Sequence, residues 1–318
     1  MSEIMMNRAT GVVKSVGNVR DYEYGAYVGT SEIINNFPKK FQLDPQTIKD
    51  QGSVGECAGC AMATVHEAHY GREFSENWAY SRLRSSKHDG VGMFLDHAVQ
   101  YLKEIGIVPR EMYDVLLEMP EAKEAVAKFP ELDEEAKKYP LAGFVKIHMG
   151  DTATGGRKDL EIKDAITRYK LPLFAASSDY FRSGHAFVLL GWDDEEDKYI
   201  FQNSWGEKYG DNGVSSIPKD EVDEVYVFLY EPIKLPFTDV VECENGDWFA
   251  NDVKQCFMSG LIKGKTETMF DPHAPITRAE ACAMFNRLMK KVDTSIQSMN
   301  KLIALKHEYN QLDIDIKD

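Results

Sequence analysis

The order of helical and strand-like segments is the feature that most constrains the fold of this chain. Helical periodicity runs from Cys57 to about Ile105, apolar strand-like runs lie between Leu171 and Asn203, and the pattern becomes helical again after Pro236. Segregated helices and strands are typical of an α+β domain, and later helices are typical of a separate module. We therefore expect an α+β domain followed by a small all-α unit.

Length and composition agree with two folded domains and exclude several classes of protein. At 318 residues the chain is long enough for about two domains, and 43% hydrophobic residues suffice for buried cores. The net charge of −15 argues against a protein that coats nucleic acid. No apolar run approaches the ~18 residues that cross a bilayer, so we expect no membrane span.

Four segments follow from the changes in pattern. Residues 1–32 are polar and aperiodic, 33–235 form the α+β domain, 236–291 a compact helical unit, and 292–318 a polar helical tail. The start lacks the apolar stretch of a secretory signal peptide, so we expect synthesis in the cytoplasm. Five cysteines do not make a disulfide scaffold over this length, so a special cysteine here is expected to be reactive.

The densest chemical signal is the sequence DQGSVGEC at residues 50–57, directly before a predicted helix over Cys57–Tyr70. A cysteine at a helix N-terminus lies at the positive end of the helix dipole, which favours the thiolate and makes the residue a nucleophile. Gln51 supplies an amide donor that can reach an oxyanion beside that thiolate.

A predicted hairpin supplies the partners that a thiolate nucleophile needs. His185–Trp192 and Lys198–Asn203 are strand-like runs around the turn Asp193–Asp197, so His185 and Asn203 are expected nearly opposite one another. An asparagine oxygen in that place can hold an imidazole. A thiolate, a base, an orienting amide and an oxyanion donor form a complete set for acyl transfer.

These motifs resemble those of the papain family of cysteine peptidases. DQGSVGEC is similar to the stretch around the family's nucleophile, SGHAFVLLGW to its histidine strand, and QNSWGEKYGDNG to its asparagine–tryptophan segment. The resemblance covers residues 33–235, with histidine and asparagine near the ~130–150-residue separation typical of the family. It implies an α+β, two-lobed fold with a helical lobe and a β-barrel-like lobe.

The resemblance also implies roles for individual residues. Cys57 is the expected nucleophile, His185 the general base and acid, and Asn203 the residue that orients the histidine. Gln51 and the Cys57 backbone N–H are expected to form the oxyanion hole, with Trp205 shielding the His–Asn hydrogen bond. The implied substrate is a protein or peptide, and no metal or organic cofactor is implied.

Further stretches resemble the walls of the family's substrate groove. FSENWAYSRLR and GVGMFLDHAVQYLKEIGIVP are similar to its helices and glycine loop, so Gly90 and Gly92 are candidate groove residues. Gly184 is a third, and a small residue before the histidine favours apolar side chains in the specificity pocket. Residues 1–32 are shorter than the inhibitory propeptide of many relatives, but they are long enough to cross the groove.

Departures from the family pattern leave alternatives open. Val54 replaces a disulfide cysteine, Ala58 an aromatic residue, and Glu56 a small residue beside the nucleophile. An inward-pointing carboxylate opposes formation of a thiolate. One alternative is a catalytically weak or inactive structural or adhesion protein. Another is a wall-peptide amidase or transpeptidase that uses the same site.

The sequence Cys57-Ala-Gly-Cys60 is a C-x-x-C motif, which can indicate functions other than peptide hydrolysis. Elsewhere such motifs indicate thioredoxin-like redox chemistry or half of a zinc site. Here no second cysteine pair follows at zinc spacing and no βαβ unit precedes the motif, which argues against both. A remaining hypothesis is a Cys57–Cys60 disulfide that switches the enzyme off reversibly.

The helical unit resembles an S-layer homology (SLH) repeat. The resemblance rests on Trp248, Gly260–Ile262, Phe270–Pro272 and Ile276–Glu280. Thr277 and Glu280 have the spacing of a capping box, so part of this signal is structural. Arg278 and Trp248 are the candidate ligand-binding residues, and a secondary cell-wall polysaccharide is the implied partner. Cys256 and Cys282 occupy apolar helical positions and are predicted in the core.

One SLH repeat is fewer than the three that the family usually combines, which suggests either that three chains associate as a homotrimer through this module and the tail or that the repeat has another function. Val292, Ile296, Met299 and Ile303 follow the spacing of a coiled-coil seam, although Lys306 interrupts it. Localisation at a bacterial cell wall or in a phage virion would suit such a module.

Overall fold

The computed structural model describes residues 12–13, 15, 21–29, 32–82, 93–117, 120–147, 149, 158–181, 184–243 and 246–315. Two of the predicted groove residues, Gly90 and Gly92, lie outside this set. The described residues form two compact units. The larger unit takes those within 1–14, 31–150 and 157–233, and the smaller takes those within 15–30 and 234–318.

The helices concentrate before the main strands and again at the end of the chain, as the sequence predicts. In the described residues they are α1 (Tyr24–Val28), α2 (Cys57–Tyr70), α3 (Glu76–Arg82), α4 (Leu95–Ile105), α5 (Glu121–Val126), α6 (Glu131–Ala136), α7 (Lys158–Tyr169), α8 (Ala250–Met258) and α9 (Arg278–Asp315), with short 3₁₀ turns at Arg110–Met112 and Lys219–Glu221.

The helix that begins at Cys57 has the bounds predicted for it. α2 ends at Tyr70 because Gly71 takes a left-handed conformation, with φ of 67°, and its N–H donates to the Glu67 carbonyl. Between residues 121 and 136 the acidic, alanine-rich sequence forms two helices, α5 and α6. Pro130 lies between them, and a proline cannot donate the hydrogen bond that a continuous helix requires.

The strands belong almost entirely to one antiparallel sheet. They are β1 (Val12–Val13), β2 (Lys40–Gln42), β3 (Met93–Phe94), β4 (Gly143–Ile147), β5 (Leu173–Ser177), β6 (His185–Asp193), β7 (Lys198–Gln202), β8 (Val214–Pro218) and β9 (Glu224–Leu229). The described residues of the sheet run in the order β4-β9-β5-β6-β7-β8, with β2 paired to the end of β6. β1 and β3 form a separate parallel pair.

The core of the larger unit lies between α2 and the sheet. α2 packs against β5 and β6, and the buried cluster there joins side chains of Met62, Trp78, Val188 and Leu190. α7 also packs on the sheet, against β4, β5 and β6. Helices packed on an antiparallel sheet are the α+β arrangement that the segment order predicts. β6 therefore runs beneath the helix that begins at Cys57.

The smaller unit includes part of the N-terminal segment that the sequence presents as aperiodic. The Glu23 N–H donates to the Met258 carbonyl at 2.6 Å, and α1 packs against α8. The Lys291 ammonium pairs with the Glu23 carboxylate, and both side chains are buried. Residues 21–29 are thus packed within the smaller unit.

The last helix runs through the boundary at 291/292 that the sequence suggests. α9 is continuous from Arg278 to Asp315. It begins at the predicted capping box, which is confirmed. The Thr277 N–H donates to Glu280 Oε2 at 2.7 Å, and the Glu280 N–H donates to Thr277 Oγ1 at 3.2 Å. Among the described helices, none combines the length and apolar character needed to cross a membrane.

Candidate active site

The side chains of His185 and Asn203 meet as the hairpin predicts. His185 Nε2 and Asn203 Oδ1 are 2.7 Å apart, and both residues are buried. Their backbones are not directly opposite, because Val188 pairs with Gln202 at this end of the hairpin, a register that would place His185 opposite position 205 rather than Asn203. The side chains span that offset.

This hydrogen bond fixes the tautomer of the histidine. Because an amide oxygen only accepts, Nε2 of His185 carries the proton and donates to Asn203 Oδ1. The other ring nitrogen, Nδ1, is then the basic one, and it has no hydrogen-bond partner among the described residues. Burial lowers the pKa of His185 to about 4, with the Asn203 hydrogen bond acting in the opposite direction. The imidazole is therefore neutral at pH 7 and its Nδ1 is able to accept a proton.

Aromatic rings enclose the His–Asn pair. The Trp205 ring lies 4.6 Å from the His185 ring between centroids, at 34°, and Phe181 meets the same imidazole edge-on at 4.9 Å. Trp205 is only 2% exposed. Rings that exclude water strengthen the hydrogen bond beneath them, which is the shielding role predicted for this tryptophan. The sequence did not single out Phe181.

Gln51 is fully buried beside the asparagine segment. Its Oε1 accepts from the Ser204 hydroxyl at 2.6 Å, and its Nε2 donates to the Val54 carbonyl at 2.7 Å. These two bonds fix the plane of the amide. Since an amide nitrogen carries two N–H groups, the Val54 carbonyl takes one of the two donors.

Backbone pairing attaches the Gln51 segment to the asparagine–tryptophan segment. The Gln51 N–H donates to the Ser204 carbonyl, the Gly206 N–H donates to the Lys49 carbonyl, and Asp50 pairs with Trp205 as an isolated antiparallel bridge. Two stretches that are far apart in sequence are thereby held in register. The motif that contains Gln51 and the motif that contains Asn203 therefore form one rigid piece.

A buried ion network joins the paired segments 49–51 and 204–206 to helix α2. Lys49 Nζ lies 2.6 Å from Glu67 Oε1 on α2 and 3.2 Å from Glu76 Oε2 on α3, with all three side chains at most 5% exposed. Glu76 also pairs with Arg110 at 3.4 Å. Lys49 precedes the oxyanion motif by one residue, but the sequence alone gave no signal for this network.

Cys57 is the first residue of α2 and has no exposed surface. The N–H groups at a helix N-terminus have no intrahelical acceptors, so this sulfur lies where negative charge is stabilised. α2 packs on β6, the strand that starts at His185. The structure thus brings the helix of the predicted nucleophile against the strand of the predicted base.

The predicted groove residue Gly184 contacts the N-terminal segment. The Val12 N–H donates to the Gly184 carbonyl at 3.2 Å, and a Cβ added at Gly184 would lie 2.2 Å from the Val12 carbonyl oxygen. Val12 also pairs with Met93 between β1 and β3, and it belongs to the same buried cluster as Cys57. A stretch of the chain's own backbone therefore lies beside the residue that precedes His185.

The carboxylate beside the nucleophile points inward. Glu56 is 2% exposed, and its Oε1 accepts from the Cys60 thiol at 3.8 Å. Burial raises the pKa of Cys60 well above its usual value, and the Glu56 carboxylate raises it further. Neither Cys57 nor Cys60 is part of a disulfide. No group of side chains suited to a metal ion occurs among the described residues.

The two residues predicted to bind a wall polymer lie at the surface of the smaller unit. Trp248 is 88% exposed, with its ring edge-on to Phe249 at 5.5 Å. Arg278 is exposed at the first position of α9. The prediction of Cys282 as a core residue is wrong, because it lies on the exposed face of α9, and Cys256 is only partly buried.

Comparison with known families decides the assignment. Residues 39–227 match the profile of the papain family of cysteine proteases. The chain belongs to this family. It is therefore a cysteine protease, a hydrolase, and residues 236–282 match the S-layer homology domain, which identifies a surface-anchoring module after the protease domain.

The fold is similar to that of a solved cysteine protease. Xylellain, a cysteine protease from Xylella fastidiosa, aligns with a TM-score of 0.57 and 17% identity, covering 72% of this chain and 97% of that one. Digestive procathepsin L 3 from the larval midgut of Tenebrio molitor aligns with a TM-score of 0.49 and 16% identity, covering 70% and 76%. No curated protein sequence gives a significant match. At such identities the likeness shows the fold alone, so the roles of individual residues rest on the geometry above.

Proposed function

We propose that this chain hydrolyses peptide bonds as an endopeptidase with Cys57 as nucleophile, His185 as general base and acid, and Asn203 as the residue that orients the histidine. The observation that carries the proposal is the 2.7 Å hydrogen bond between His185 Nε2 and Asn203 Oδ1. It leaves Nδ1 as the basic nitrogen of a ring enclosed by aromatic side chains.

In the first half of the reaction, the Cys57 sulfur bonds to the carbonyl carbon of the substrate while the thiol proton passes to His185 Nδ1. The carbonyl oxygen becomes an oxyanion, which accepts hydrogen bonds from the Cys57 N–H and the Gln51 amide. His185 then gives the proton to the leaving amine, the C–N bond breaks, and a thioester remains on Cys57.

In the second half, water attacks the thioester. His185 takes a proton from that water, and the resulting hydroxide bonds to the acyl carbon through a second oxyanion in the same hole. The C–S bond breaks, the proton returns to the sulfur, and the carboxylic acid product leaves. The rigid pairing of residues 49–51 with 204–206 supports this assignment, because it holds the amide donor and the His–Asn pair in fixed relation.

Residues 12–13 are proposed to cover the groove in the state described here, as a short pro-like segment. The contacts of Val12 with Gly184 and Met93, and the complete burial of Cys57, support this. Deleting residues 1–14 removes β1 and keeps residues 21–29, which pack in the smaller unit. We expect faster peptide hydrolysis and faster alkylation of Cys57 from this deletion. Deleting only residues 1–11 is the matched control. Equal rates for both deletions and the full chain would count against the proposal.

The SLH domain is proposed to hold the protease at a secondary cell-wall polysaccharide through Trp248 and Arg278. Exposure of the Trp248 indole and of Arg278 supports a ligand-binding role, since sugars stack on aromatic faces and acidic groups pair with the guanidinium fork. Co-sedimentation with purified wall polymer should weaken in Trp248→Ala and Arg278→Ala, while peptide turnover is unchanged. Unaltered co-sedimentation in both variants would remove these residues from the binding site.

Association of three chains through the SLH domain and the helical tail is also part of the proposal. Cys282, Phe285, Met289, Val292 and Ile296 repeat at alternating spacings of three and four along α9, and all are exposed. We call these five residues the α9 seam. A helix that exposes such a seam is typical of a coiled coil, and the same seam on further copies complements it.

Titration with an epoxide that alkylates activated thiols tests the catalytic assignment. The wild-type chain should take up one equivalent at Cys57, and His185→Ala should react at the rate of an ordinary free thiol. His273→Ala, which replaces an exposed histidine of the smaller unit, is the matched control and should label like the wild type. Labelling as slow as that of His185→Ala, in the full chain and also after deletion of residues 1–14, would favour the alternative of an inactive scaffold.

A further inference from the structure

Glu56 and Cys60 lie on either side of the nucleophile in sequence, and they are in contact. The Cys60 thiol lies 3.8 Å from Glu56 Oε1, within the range of a hydrogen bond from sulfur, and the Cys60 N–H donates to the Glu56 carbonyl at 3.0 Å. Both side chains are buried. The Glu56 carboxylate is therefore in contact with the thiol of Cys60, which lies one helical turn after Cys57.

Helical geometry places the two thiols on one face. Cys57 and Cys60 are the first and fourth residues of α2, a separation at which Cβ atoms lie about 5–6 Å apart. A disulfide needs about 3.5–4.5 Å between Cβ atoms. The backbone N–H groups of the first turn make no intrahelical hydrogen bonds, so a small displacement of Cys57 can close the gap.

The environments of the two sulfurs differ in a way that divides their roles. Cys57 lies at the positive end of the helix, where the thiolate is favoured. Burial raises the pKa of Cys60 well above its usual value, and the carboxylates of Glu56 and Glu76 add to this while Lys49 opposes it. Cys60 is thus a protonated thiol beside a base, and it becomes a nucleophile only when that base takes its proton.

We propose that Cys57 and Cys60 form a reversible disulfide when the nucleophile is oxidised by a peroxide, with Cys60 as the resolving thiol and Glu56 as its proton acceptor. The proposal rests on the proposed function in one respect, namely that Cys57 is the reactive thiol of the site.

The chemistry balances in two steps with hydrogen peroxide as oxidant. The Cys57 thiolate attacks one peroxide oxygen, the O–O bond breaks, and with one proton the products are the Cys57 sulfenic acid and water. The Cys60 proton then passes to Glu56, the Cys60 sulfur attacks the Cys57 sulfur, and hydroxide leaves with that proton as a second water. The two thiols lose two electrons in total, and the peroxide gains them.

The Cys57–Cys60 pair protects the enzyme from permanent loss of activity. A sulfenic acid without a resolving thiol is oxidised further to a sulfinic acid, which ordinary thiol reductants do not reverse. With Cys60 in place the reaction stops at the disulfide. Inhibition by peroxide then becomes reversible by dithiothreitol, and hydrolysis resumes when both thiols are restored.

Peptide mass spectrometry of the full chain tests the proposal directly. Trypsin releases residues 50–72 as one peptide, which contains Cys57 and Cys60 and no other cysteine. After treatment with hydrogen peroxide and alkylation of remaining thiols, the wild-type peptide should carry no alkyl group. Its mass should be two hydrogen atoms below that of the reduced peptide before alkylation. Dithiothreitol should restore both alkylation sites and the lost hydrolysis.

Variants separate the roles of the residues. Cys60→Ser, or Cys60→Ala if the first does not fold, should give sulfinic acid at Cys57 and a loss of activity that dithiothreitol does not reverse. Glu56→Gln keeps the shape of the side chain without the base, so disulfide closure should slow by about tenfold or more. Cys256→Ser is the matched control and should behave like the wild type.

The outcomes keep this proposal distinct from the catalytic one. Oxidation of wild-type Cys57 to a sulfinic acid without the internal disulfide would overturn it, as would an unaltered peptide in excess peroxide. Because the mass readout does not depend on turnover, a disulfide in a chain without peptidase activity would leave this inference standing while the proposed function fails.

Discussion

The two units of the molecule differ in how far their largest aromatic side chains are exposed. In the larger unit the biggest side chains are fully enclosed, with Trp78, Trp192 and Trp205 at most 2% exposed. In the smaller unit Trp248 is 88% exposed and Phe285 is 65% exposed. The difference indicates that the protease domain encloses its largest side chains, whereas the SLH unit leaves apolar side chains exposed, which agrees with the proposed self-association.

The reason lies in the number of layers that each unit possesses. The larger unit packs α2 and its neighbours on a seven-stranded sheet, which gives apolar residues partners on several sides. The smaller unit has a core cluster around Phe237, Val240, Ala250 and Val253, and no described residue of α9 belongs to that cluster. A single repeat of this kind leaves one helix face without a layer to cover it.

The largest expected effect is the loss of the base. His185→Ala should lower kcat/KM for peptide hydrolysis by about 10²- to 10⁴-fold, because proton transfer in both halves of the reaction depends on this imidazole. Binding to wall polymer should be unchanged, since that property belongs to the other unit. Steady-state kinetics beside co-sedimentation measures both. A parallel loss of binding would show that the two units are not independent.

The next effect concerns the buried network beneath the site. Glu67→Leu leaves Lys49 with only the more distant Glu76, so the free energy of unfolding should fall by about 3–5 kcal/mol, measured by urea denaturation. Glu135→Gln removes a carboxylate from an exposed ion pair and should change the denaturation midpoint little. Equal midpoints for the two variants would mean that the network contributes no stability.

Acid should destabilise the larger unit through its buried histidines. Burial lowers the pKa of His66 to about 3 and of His185 to about 4. Between about pH 6.5 and pH 4 the unfolded chain binds these protons and the folded chain does not. The free energy of unfolding therefore decreases as the pH is lowered through this range, by up to about 1.4 kcal/mol per pH unit for each histidine.

Denaturation at a series of pH values measures this slope. His66 is held by the Tyr139 carbonyl and the Tyr230 hydroxyl, away from the proposed catalytic residues. His66→Gln should therefore remove the contribution of His66 to the pH dependence of the unfolding free energy. His69→Gln, at an exposed position, should remove much less. A slope that neither substitution alters would contradict the assignment of acid sensitivity to His66.

The smallest expected effect on catalysis comes from the α9 seam. Light scattering at micromolar concentration should give the wild-type chain a mass above that of a monomer. Ile296→Asp should lower that mass toward one chain with turnover unchanged, since it places a charge in the seam. Thr294→Asp, on the same helix outside the seam, is the matched control. A monomeric wild-type chain would remove the proposed self-association and leave the exposed surface to another partner.

The sequence predicts the parts of the site that depend on local pattern. The bounds of α2 followed from its periodicity and from Gly71, and the meeting of His185 with Asn203 followed from a hairpin. In both cases the information lies within about twenty residues, because helix caps and hairpin turns are short-range features. The family motifs then assigned roles to those positions.

The features that the sequence did not predict depend on distant partners. Nothing near Lys49 indicates that Glu67 and Glu76 surround its ammonium group, and nothing near Glu23 indicates its pairing with Lys291. The error at Cys282 has the same origin. Helical periodicity identifies an apolar face, but only tertiary structure shows whether another element covers that face.

Digestion of a mixed peptide library by the purified full chain under reducing conditions, beside Cys57→Ala, tests the central claim most directly. The account predicts cleavage by the wild-type chain and none by the variant, with both chains folded by circular dichroism. The same digestion reveals which side chains the groove accepts beside the cleaved bond. Cleavage that persists in Cys57→Ala would contradict the assignment of the nucleophile. No cleavage by either chain, even after removal of residues 1–14, would contradict general endopeptidase activity and direct the search to wall peptides.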